Sequence, residues 1–266
     1  MTDRAVRDAY DATAGAWASG PGAFYRRLGD ALVAAAPDAL RGAVVLDVGA
    51  GTGAVTDAAR AAGAVQVVAT DIALGMLQHD ALSRAPAAVA DACALPFASS
   101  SFDMVVAGFV VNHLDAPDTA LREMARVVRR GGVVLASAFE TGPSHVTKEQ
   151  VDRALASFGF ENPAWHDALK TEREPRTGTA DGLRRVAAAG GFARGDVDVV
   201  TGAVDSGLRT AADFVDYRFG MASHAPFVAS LDAATRARAY DAALAAIGDD
   251  PPPLVPTLLV LVARRS

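Results

Sequence analysis

One short segment places an acidic side chain beside alternating glycines, at a spacing that can hold a small ligand. Asp47 ends an apolar run, and Gly49, Gly51 and Gly53 follow it with Ala50 between the first two. Glycine lets the chain turn tightly and brings bare backbone close to a ligand. The Asp47 carboxylate is an acceptor suited to an ammonium group. The segment predicts a binding turn for a small polar molecule.

A second acidic residue follows the next apolar run. Asp71 stands 20 residues after Gly51 and has Ile72 beside it. A carboxylate at the end of a second strand can accept hydrogen bonds from both hydroxyls of a ribose. Met76 follows on a predicted helix, where its flexible thioether can pack on an adenine face. These residues predict a nucleoside-like ligand.

A third acidic residue and a histidine follow later strands. Asp91 ends a short third strand, with Ala92 after it, and adds another carboxylate acceptor at a strand end. Gly108 ends a fourth strand, and Asn112 and His113 come a few residues later. Histidine titrates near neutral pH, so His113 is a candidate general base and Asn112 a polar pocket residue. The alternative is that His113 only packs, or caps the helix that follows.

The elements that must position these residues are those of a doubly wound fold. Residues 43–46 fit a buried strand of a parallel sheet, and residues 54–63 read as a helix. A strand, a glycine turn and a helix form the nucleotide-binding corner of an α/β fold. The dinucleotide fingerprint is G-x-G-x-x-G, whereas this chain has G-x-G-x-G. An NAD-dependent oxidoreductase stays open as an alternative on the glycines alone.

Four patterns in order resemble the motifs of class I S-adenosylmethionine (AdoMet)-dependent methyltransferases. They are the glycine turn, the acidic ends of the second and third strands, and the run Leu95-Pro96-Phe97 with Ser101-Phe102-Asp103. The resemblance covers roughly residues 40–140. It implies AdoMet as cofactor, with Asp91 placed to accept from the adenine amine. It also implies a mostly parallel seven-stranded Rossmann-like sheet, whose last strand inserts antiparallel between the fifth and sixth.

The composition is typical of a cytoplasmic enzyme that acts on small molecules. The chain has 266 residues, 51% of them hydrophobic, and a formal net charge of −6. A negative charge without a basic run argues against nucleic acid as a partner. The apolar stretch 254–263 is too short to span a bilayer, which argues against a membrane protein. The lone Cys93 and the absence of a metal-ligand motif predict no metal. A monomer or homodimer is expected.

Two long connections predict a lid over the sheet. We expect residues 1–40 to form helices that cover the cofactor, and residues 41–266 to form the core. Insertions at about 140–179 and 205–255 exceed the usual connection length, and such segments are commonly functional lids. The second is predicted to hold two helices, near 210–221 and 232–247. The candidate substrate contacts in these regions are Tyr10, His145, Trp165, Tyr217 and Met221, beside Asn112.

The sequence thus predicts an AdoMet-dependent methyltransferase of a small-molecule acceptor. The expected reaction is methylation of oxygen or carbon in specialised metabolism. The resemblance leaves one further alternative, a protein of the same fold that keeps AdoMet bound and acts as a cyclase or pericyclase without transferring the methyl group. An NAD-dependent oxidoreductase is the remaining enzyme alternative, and a methyltransferase-like binding partner is a non-enzymatic one.

Overall fold

A single mostly parallel sheet organises the protein. The computed structural model describes residues 4–80 and 85–266. Its strands are β1 (Val44–Val48), β2 (Gln66–Asp71), β3 (Ala87–Val89), β4 (Phe102–Gly108), β5 (Val128–Phe139), β6 (Val197–Ala203) and β7 (Thr257–Arg264). Their order across the sheet is β3-β2-β1-β4-β5-β7-β6. The predicted doubly wound, Rossmann-like sheet is confirmed.

The last strand has the predicted antiparallel place. β7 lies between β5 and β6 and pairs antiparallel with both, with Leu261 opposite Ala136 on one side and Val199 on the other. Pairing on two edges and packing on two faces explains why residues 258–262 are apolar without alternation. The five strands that precede β6 are parallel to one another.

Helices cover both faces of this sheet and its carboxyl edge. They are α1 (Arg4–Asp11), α2 (Ala14–Ser19), α3 (Gly22–Val33), α4 (Pro37–Leu40), α5 (Ala54–Ala61), α6 (Leu74–Gln78), α7 (Pro117–Val127), α8 (Val146–Ala156), α9 (Ala164–Ala168), α10 (Glu174–Thr177), α11 (Ala180–Ala189), α12 (Ala211–Gly220), α13 (Ala225–Ser230) and α14 (Ala233–Ile247). Within the described ranges, no helix is long and apolar enough to cross a membrane.

Two buried clusters form the core, one on each face of the sheet. On one face Leu28 and Leu32 of α3 pack with Val45 and Met104. On the other, residues of α7 and α11 pack against Leu46 and its strand neighbours. Because successive residues of a strand face opposite sides, Val45 and Leu46 serve one cluster each. The carboxyl end of β1 is therefore held from both faces, which fixes the turn that follows.

Two element boundaries differ from the sequence prediction. From proline at 117 and the glycine pair at 131 and 132, the sequence predicts a helix that runs to about Arg130, is ended by the glycines and is followed by a strand from Val133. In the structure the helix ends at Val127, and β5 begins at once with Val128 and includes Gly131 and Gly132. A Cβ on Gly132 would lie 2.5 Å from the carbonyl oxygen of Asp103, so this glycine allows β5 to run close to β4. The glycines belong to the strand and do not end the helix.

The second insertion also holds one helix more than predicted. Between α12 and α14 lies the short helix α13, which begins after His224 with proline at its first turn. In the first insertion, residues 169–173 form a π-helical turn between α9 and α10. We call residues 140–179 and 205–255 the lid.

Candidate active site

The glycine turn after β1 is shaped by close backbone contacts. Gly49, Gly51 and Gly53 all have positive φ angles, of 69°, 54° and 99°. The amides of Gly49 and Ala50 donate to the carbonyl oxygen of Thr70, over 2.7 and 2.9 Å. A Cβ on Gly49 would lie 2.2 Å from Cγ2 of Val110. Only glycine fits at that position, since other side chains would be strained and would clash.

Asp71 connects the end of β2 to this turn. Its Oδ2 accepts from the amide of Gly51 over 2.8 Å, and its Oδ1 accepts from the amide of Ala73 over 2.9 Å. A carboxylate offers about four acceptor positions, so the same group can bond to backbone and to a ligand. The side chain also lines a cavity, which gives Asp71 the location predicted for a ribose acceptor.

That cavity lies beyond the carboxyl ends of β1, β2 and β4. It encloses about 1040 Å³ with its open mouth included. We call the part of its lining that follows β1, β2 and β3 the floor. The predicted cofactor residues of the floor are Gly49, Ala50, Gly51, Asp71, Ile72, Met76 and Ala92, and Gly108 lines the same cavity from β4. Floor residues thus come from three strand ends, where ligands bind in open α/β sheets.

Three predicted cofactor residues do not line the cavity. The Asp47 side chain is fully buried, and its Oδ2 accepts from the hydroxyl of Thr56 over 2.6 Å. Asp91 is half-buried and accepts from the amide of Cys93 over 2.9 Å. Gly53 begins α5 just behind the turn. These residues shape the backbone around the cavity, and direct ligand contact by them stays a prediction.

Aromatic side chains form a second part of the cavity lining. We call Tyr10, Trp17, Tyr25 and Phe109 the aromatic wall; all four line the cavity. Trp17 lies 5.5 Å from Tyr10 and 4.6 Å from Tyr25, and Tyr25 lies 5.5 Å from Phe109, measured between ring centroids. Each ring therefore contacts the next, and α1, α2 and α3 are joined to the end of β4 through side chains.

The tyrosines of the wall are neutral at physiological pH. Burial raises the pKa of Tyr10, and the nearby Asp71 carboxylate raises it further. Burial also raises the pKa of Tyr25 well above its usual value, with Tyr217 adding to the effect. The wall can therefore offer ring faces and hydroxyl donors, and no negative charge.

His113 lines the cavity next to this wall. Its ring meets Tyr10 edge to face at 5.7 Å between centroids, with an interplanar angle of 83°. Burial lowers the pKa of His113 to about 4, helped by the positive charges of Lys170 and Arg173. Its Nδ1 is buried and has no hydrogen-bond partner within residues 4–80 and 85–266. The ring is neutral at pH 7 and lacks the orienting partner that a general base commonly has.

The six candidate substrate contacts have different locations. Tyr10 alone lines the cavity. Trp165 packs on Tyr10 from the lid at 6.4 Å. Tyr217 lies against Phe24, and Met221 packs beside Trp17 and Tyr25. These three support the aromatic wall from behind.

The remaining two are structural in this conformation. Asn112 is buried in the turn before His113 and does not line the cavity. His145 caps α8, because its Nδ1 accepts from the amide of Thr147 over 3.3 Å, and its ring stacks on Phe214 at 5.6 Å. Ligand contact by either residue stays a prediction.

A buried polar network holds the lid together. Arg218 of α12 donates two hydrogen bonds to Asp152 of α8. His224 approaches Asp152 over 3.0 Å through Nε2, and its Nδ1 lies 2.8 Å from the Ser223 hydroxyl. Although burial raises the pKa of Asp152, the bonds from His224 and Arg218 outweigh it and hold that pKa well below its usual value. The network joins α8, α12 and the start of α13.

Comparison with known proteins identifies the family. A family model described as a methyltransferase domain matches residues 46–136. A demethylmenaquinone methyltransferase of Corynebacterium urealyticum is 36% identical over 157 residues, which cover 52% of this chain and 68% of that protein. The chain belongs to the class I AdoMet-dependent methyltransferases. Of the two cofactor fingerprints, the AdoMet one is the correct interpretation and the NAD alternative is set aside.

This methyltransferase shares only part of its length with its relatives. A demethylmenaquinone methyltransferase of Mycolicibacterium paratuberculosis is 42% identical over 119 residues, 43% of this chain and 51% of that protein. Among the first relatives of this kind, the chain spans about half to two thirds of their length.

Solved structures support the fold over nearly the whole chain. A Thermotoga maritima protein described as a possible histamine N-methyltransferase has a TM-score of 0.55 at 12% identity, over 98% of this chain and all of that one. The [4+2]-cyclase SpnF has a TM-score of 0.52 at 20% identity, over 90% and 81%. At such identities the likeness concerns the fold alone.

Sequence reasoning missed Phe109 and Tyr25 as site residues. Phe109 directly follows the predicted fourth strand, so its position at a carboxyl strand end was a usable signal. Tyr25 lies in the middle of a predicted helix, and only the packing of α3 against β4 brings it to the cavity. No local pattern distinguishes it from an ordinary core tyrosine.

Proposed function

We propose that this chain transfers the methyl group of AdoMet to a small-molecule acceptor, at carbon or oxygen. One observation carries the proposal: the floor with Asp71 and the aromatic wall with His113 line the same cavity. A donor bound on the floor and an acceptor against the wall would therefore meet in one space. Holding two reactants in line can lower a barrier by about 7–11 kcal/mol.

The floor fits the cofactor that the family implies. A Cβ on Gly51 would meet no protein atom within 4 Å, although Gly51 lines the cavity. The bare backbone there leaves room that a ligand would fill. Asp71 would accept from the ribose hydroxyls, and Met76 and Ala92 would contact the adenine. When bound, AdoMet supplies an activated methyl group on a cationic sulfur, and aromatic faces such as those of the wall attract cations.

The surroundings of His113 support an acceptor that needs little help from a base. A neutral imidazole with a pKa of about 4 is a weak proton acceptor at pH 7. It can still form a hydrogen bond to an acceptor hydroxyl. An enolisable carbon or an acidic hydroxyl would react under these conditions, and both belong to the carbon and oxygen classes.

The weak base also favours a second candidate function. A protein that binds AdoMet and acts as a cyclase or pericyclase would need a shaped pocket and no strong base. The same histidine and the closed aromatic wall suit that reaction, so it is kept as the alternative.

Relatives supply the first acceptor to try. Because the matching relatives are named for demethylmenaquinone, that compound is the first probe. The family model covers residues 46–136 and so leaves out the three N-terminal helices that supply Tyr10, Trp17 and Tyr25 of the aromatic wall. Acceptor contacts outside the matched segment support an acceptor particular to this chain, as in specialised metabolism, and we propose a cytoplasmic setting for it.

Mass spectrometry distinguishes the two functions. Incubation of the protein and AdoMet with demethylmenaquinone and then with a set of phenols and enols should give a product heavier by one methylene. S-adenosylhomocysteine in place of AdoMet should abolish that product. An isomer of unchanged mass, formed with either form of the cofactor, would contradict methyl transfer and support the cyclase.

A further inference from the structure

Phe109 has a backbone conformation that is unfavourable for an aromatic residue. Its φ angle is +60°, in the left-handed region, and it directly follows β4. Bulky residues rarely adopt that region because Cβ approaches the backbone too closely. Strained residues of this kind cluster at functional sites, where the surrounding structure holds them in place.

The structure fixes the backbone on both sides of this residue. The amide of Phe109 donates to the hydroxyl oxygen of Ser137 over 3.2 Å, and Ser137 is fully buried on β5. The next residue, Val110, is pressed against the glycine turn, where a Cβ on Gly49 would lie 2.2 Å from it. The chain therefore cannot relax at Phe109 without moving the floor or breaking a buried hydrogen bond.

The strained conformation directs the ring into the cavity. Phe109 lines the cavity beside Gly108, and its ring packs on Phe139 at 4.4 Å and meets Tyr25 at 5.5 Å with an interplanar angle of 76°. Phe139 supports the ring from behind, and Tyr25 supports it from the side. A ring held by two neighbours keeps its orientation when a ligand binds.

We propose that Phe109 is a specificity-determining residue that selects methyl acceptors with a flat apolar face, and that Ser137 is the positioning residue that aims it. The inference rests on the proposed function, because it assigns the acceptor part of the same cavity. Among the residues that line this cavity only Arg7 and Asp71 are charged, and Asp71 belongs to the floor. A flat, uncharged molecule is therefore the ligand that this wall matches best.

Two probes of the same carbon skeleton test the proposal. Protein loaded with S-adenosylhomocysteine is titrated with 2-naphthol, which is flat, and with decahydro-2-naphthol, which is not. Wild type should bind the flat probe more tightly by about tenfold. Phe109→Ala should remove that preference by weakening 2-naphthol binding about tenfold, as expected when a stacking partner is lost. Phe109→Leu, which keeps bulk without a flat face, serves if the alanine variant does not fold.

Two further variants separate the site from general packing. Phe97→Ala is the matched control, since Phe97 is a half-buried phenylalanine that packs on Phe102 and does not line the cavity. It should keep the wild-type preference. Ser137→Ala should reduce the ratio of the two affinities several-fold while S-adenosylhomocysteine binds as before. A structural effect alone would weaken both probes alike.

The outcomes are distinct. Equal affinity of wild type for both probes, or an unchanged ratio in both Phe109 variants, overturns the role of Phe109 while leaving the proposed function in place. Failure of wild type to bind S-adenosylhomocysteine overturns the proposed function and this inference with it.

Discussion

The floor and the aromatic wall bind by different means, although they line the same cavity. The floor presents bare backbone and one carboxylate, placed by the strand ends and by glycines with positive φ. The wall presents ring faces from three N-terminal helices and the end of β4. The backbone of the floor has a fixed shape, so it suits one ligand. The side chains of the wall can be replaced by mutation without altering the sheet. The cofactor and the acceptor are thus assigned to surfaces that can vary independently.

The largest effect is expected where a side chain would enter the floor. Gly51→Val should weaken AdoMet binding by roughly a hundredfold or more, because the valine would both occupy ligand space and adopt an unfavourable φ. Gly42→Val is the matched control: Gly42 also has a positive φ, of 72°, and open space around its Cβ, but does not line the cavity. Calorimetric titration with AdoMet measures both. Equal losses would show that strain, and not the cavity, explains the effect.

Asp71 should have the next largest effect. Charge-assisted hydrogen bonds contribute about 1.5–3 kcal/mol, so Asp71→Ala should lower AdoMet affinity at least tenfold. Asp91→Ala provides the comparison, because the Asp91 carboxylate bonds to the Cys93 amide and does not line the cavity. It should lose less affinity than Asp71→Ala. If the two losses are the same, the Asp91 carboxylate contacts the cofactor as the sequence predicted.

Acid should destabilise the wall and lid more than the floor. Burial lowers the pKa of His224 to about 4, helped by Arg218, and the pKa of His113 to about 4 as well. Unfolding would return both to about 6.5, so the unfolded state binds more protons between pH 6.5 and 4. The contribution of these two neutral histidines to the free energy of unfolding is complete above pH 6.5 and is lost as the pH falls towards 4. The loss is about 1.4 kcal/mol per pH unit for each histidine.

Denaturant unfolding at pH 7.0, 6.0 and 5.0 measures this slope. The variant His224→Gln should have a shallower slope than wild type. Hydrogen exchange should show that α12 and α13 lose protection at pH 5 before β1 and β2 do. A stability that is constant over this range would contradict the buried neutral state of these rings.

The smallest effect is expected at His113. A neutral hydrogen-bonding group contributes about 0.5–1.5 kcal/mol, so His113→Gln should lower the rate of methyl transfer less than about tenfold and leave AdoMet affinity unchanged. A loss of about a hundredfold or more would show that His113 is a general base after all. The pH profile gives a second test, since wild type should have no histidine inflection between pH 6 and 7.

The floor was predictable because local sequence dictates it. Gly49 and Gly51 have backbone conformations that few other residues tolerate, and Asp71 follows a strand whose pairing with β1 is fixed by apolar residues on both faces. Positions of this kind leave a pattern at a fixed spacing. The antiparallel place of β7 was different, because only the family resemblance implied it and no local pattern showed it.

The wall and lid were not predictable in the same way. Trp17 and Tyr25 reach the cavity only because α2 packs on the distant α12, and α3 packs on β4 and β5. The Asp152–Arg218–His224 network joins residues more than 60 positions apart and leaves no local spacing to detect. The predicted end of α7 was wrong for a similar reason. The close approach of Gly132 to β4 places this glycine in β5, and nothing next to it in the sequence shows that contact.

A crystal structure of the protein with S-adenosylhomocysteine would test the central claim most directly. We predict that the ribose hydroxyls bond to Asp71, that the amino-acid end lies along the backbone of Gly49 and Gly51, and that the sulfur faces the aromatic wall near Phe109. A ligand bound outside this cavity, or one whose ribose does not approach Asp71, would contradict the assignment of the floor as the cofactor site.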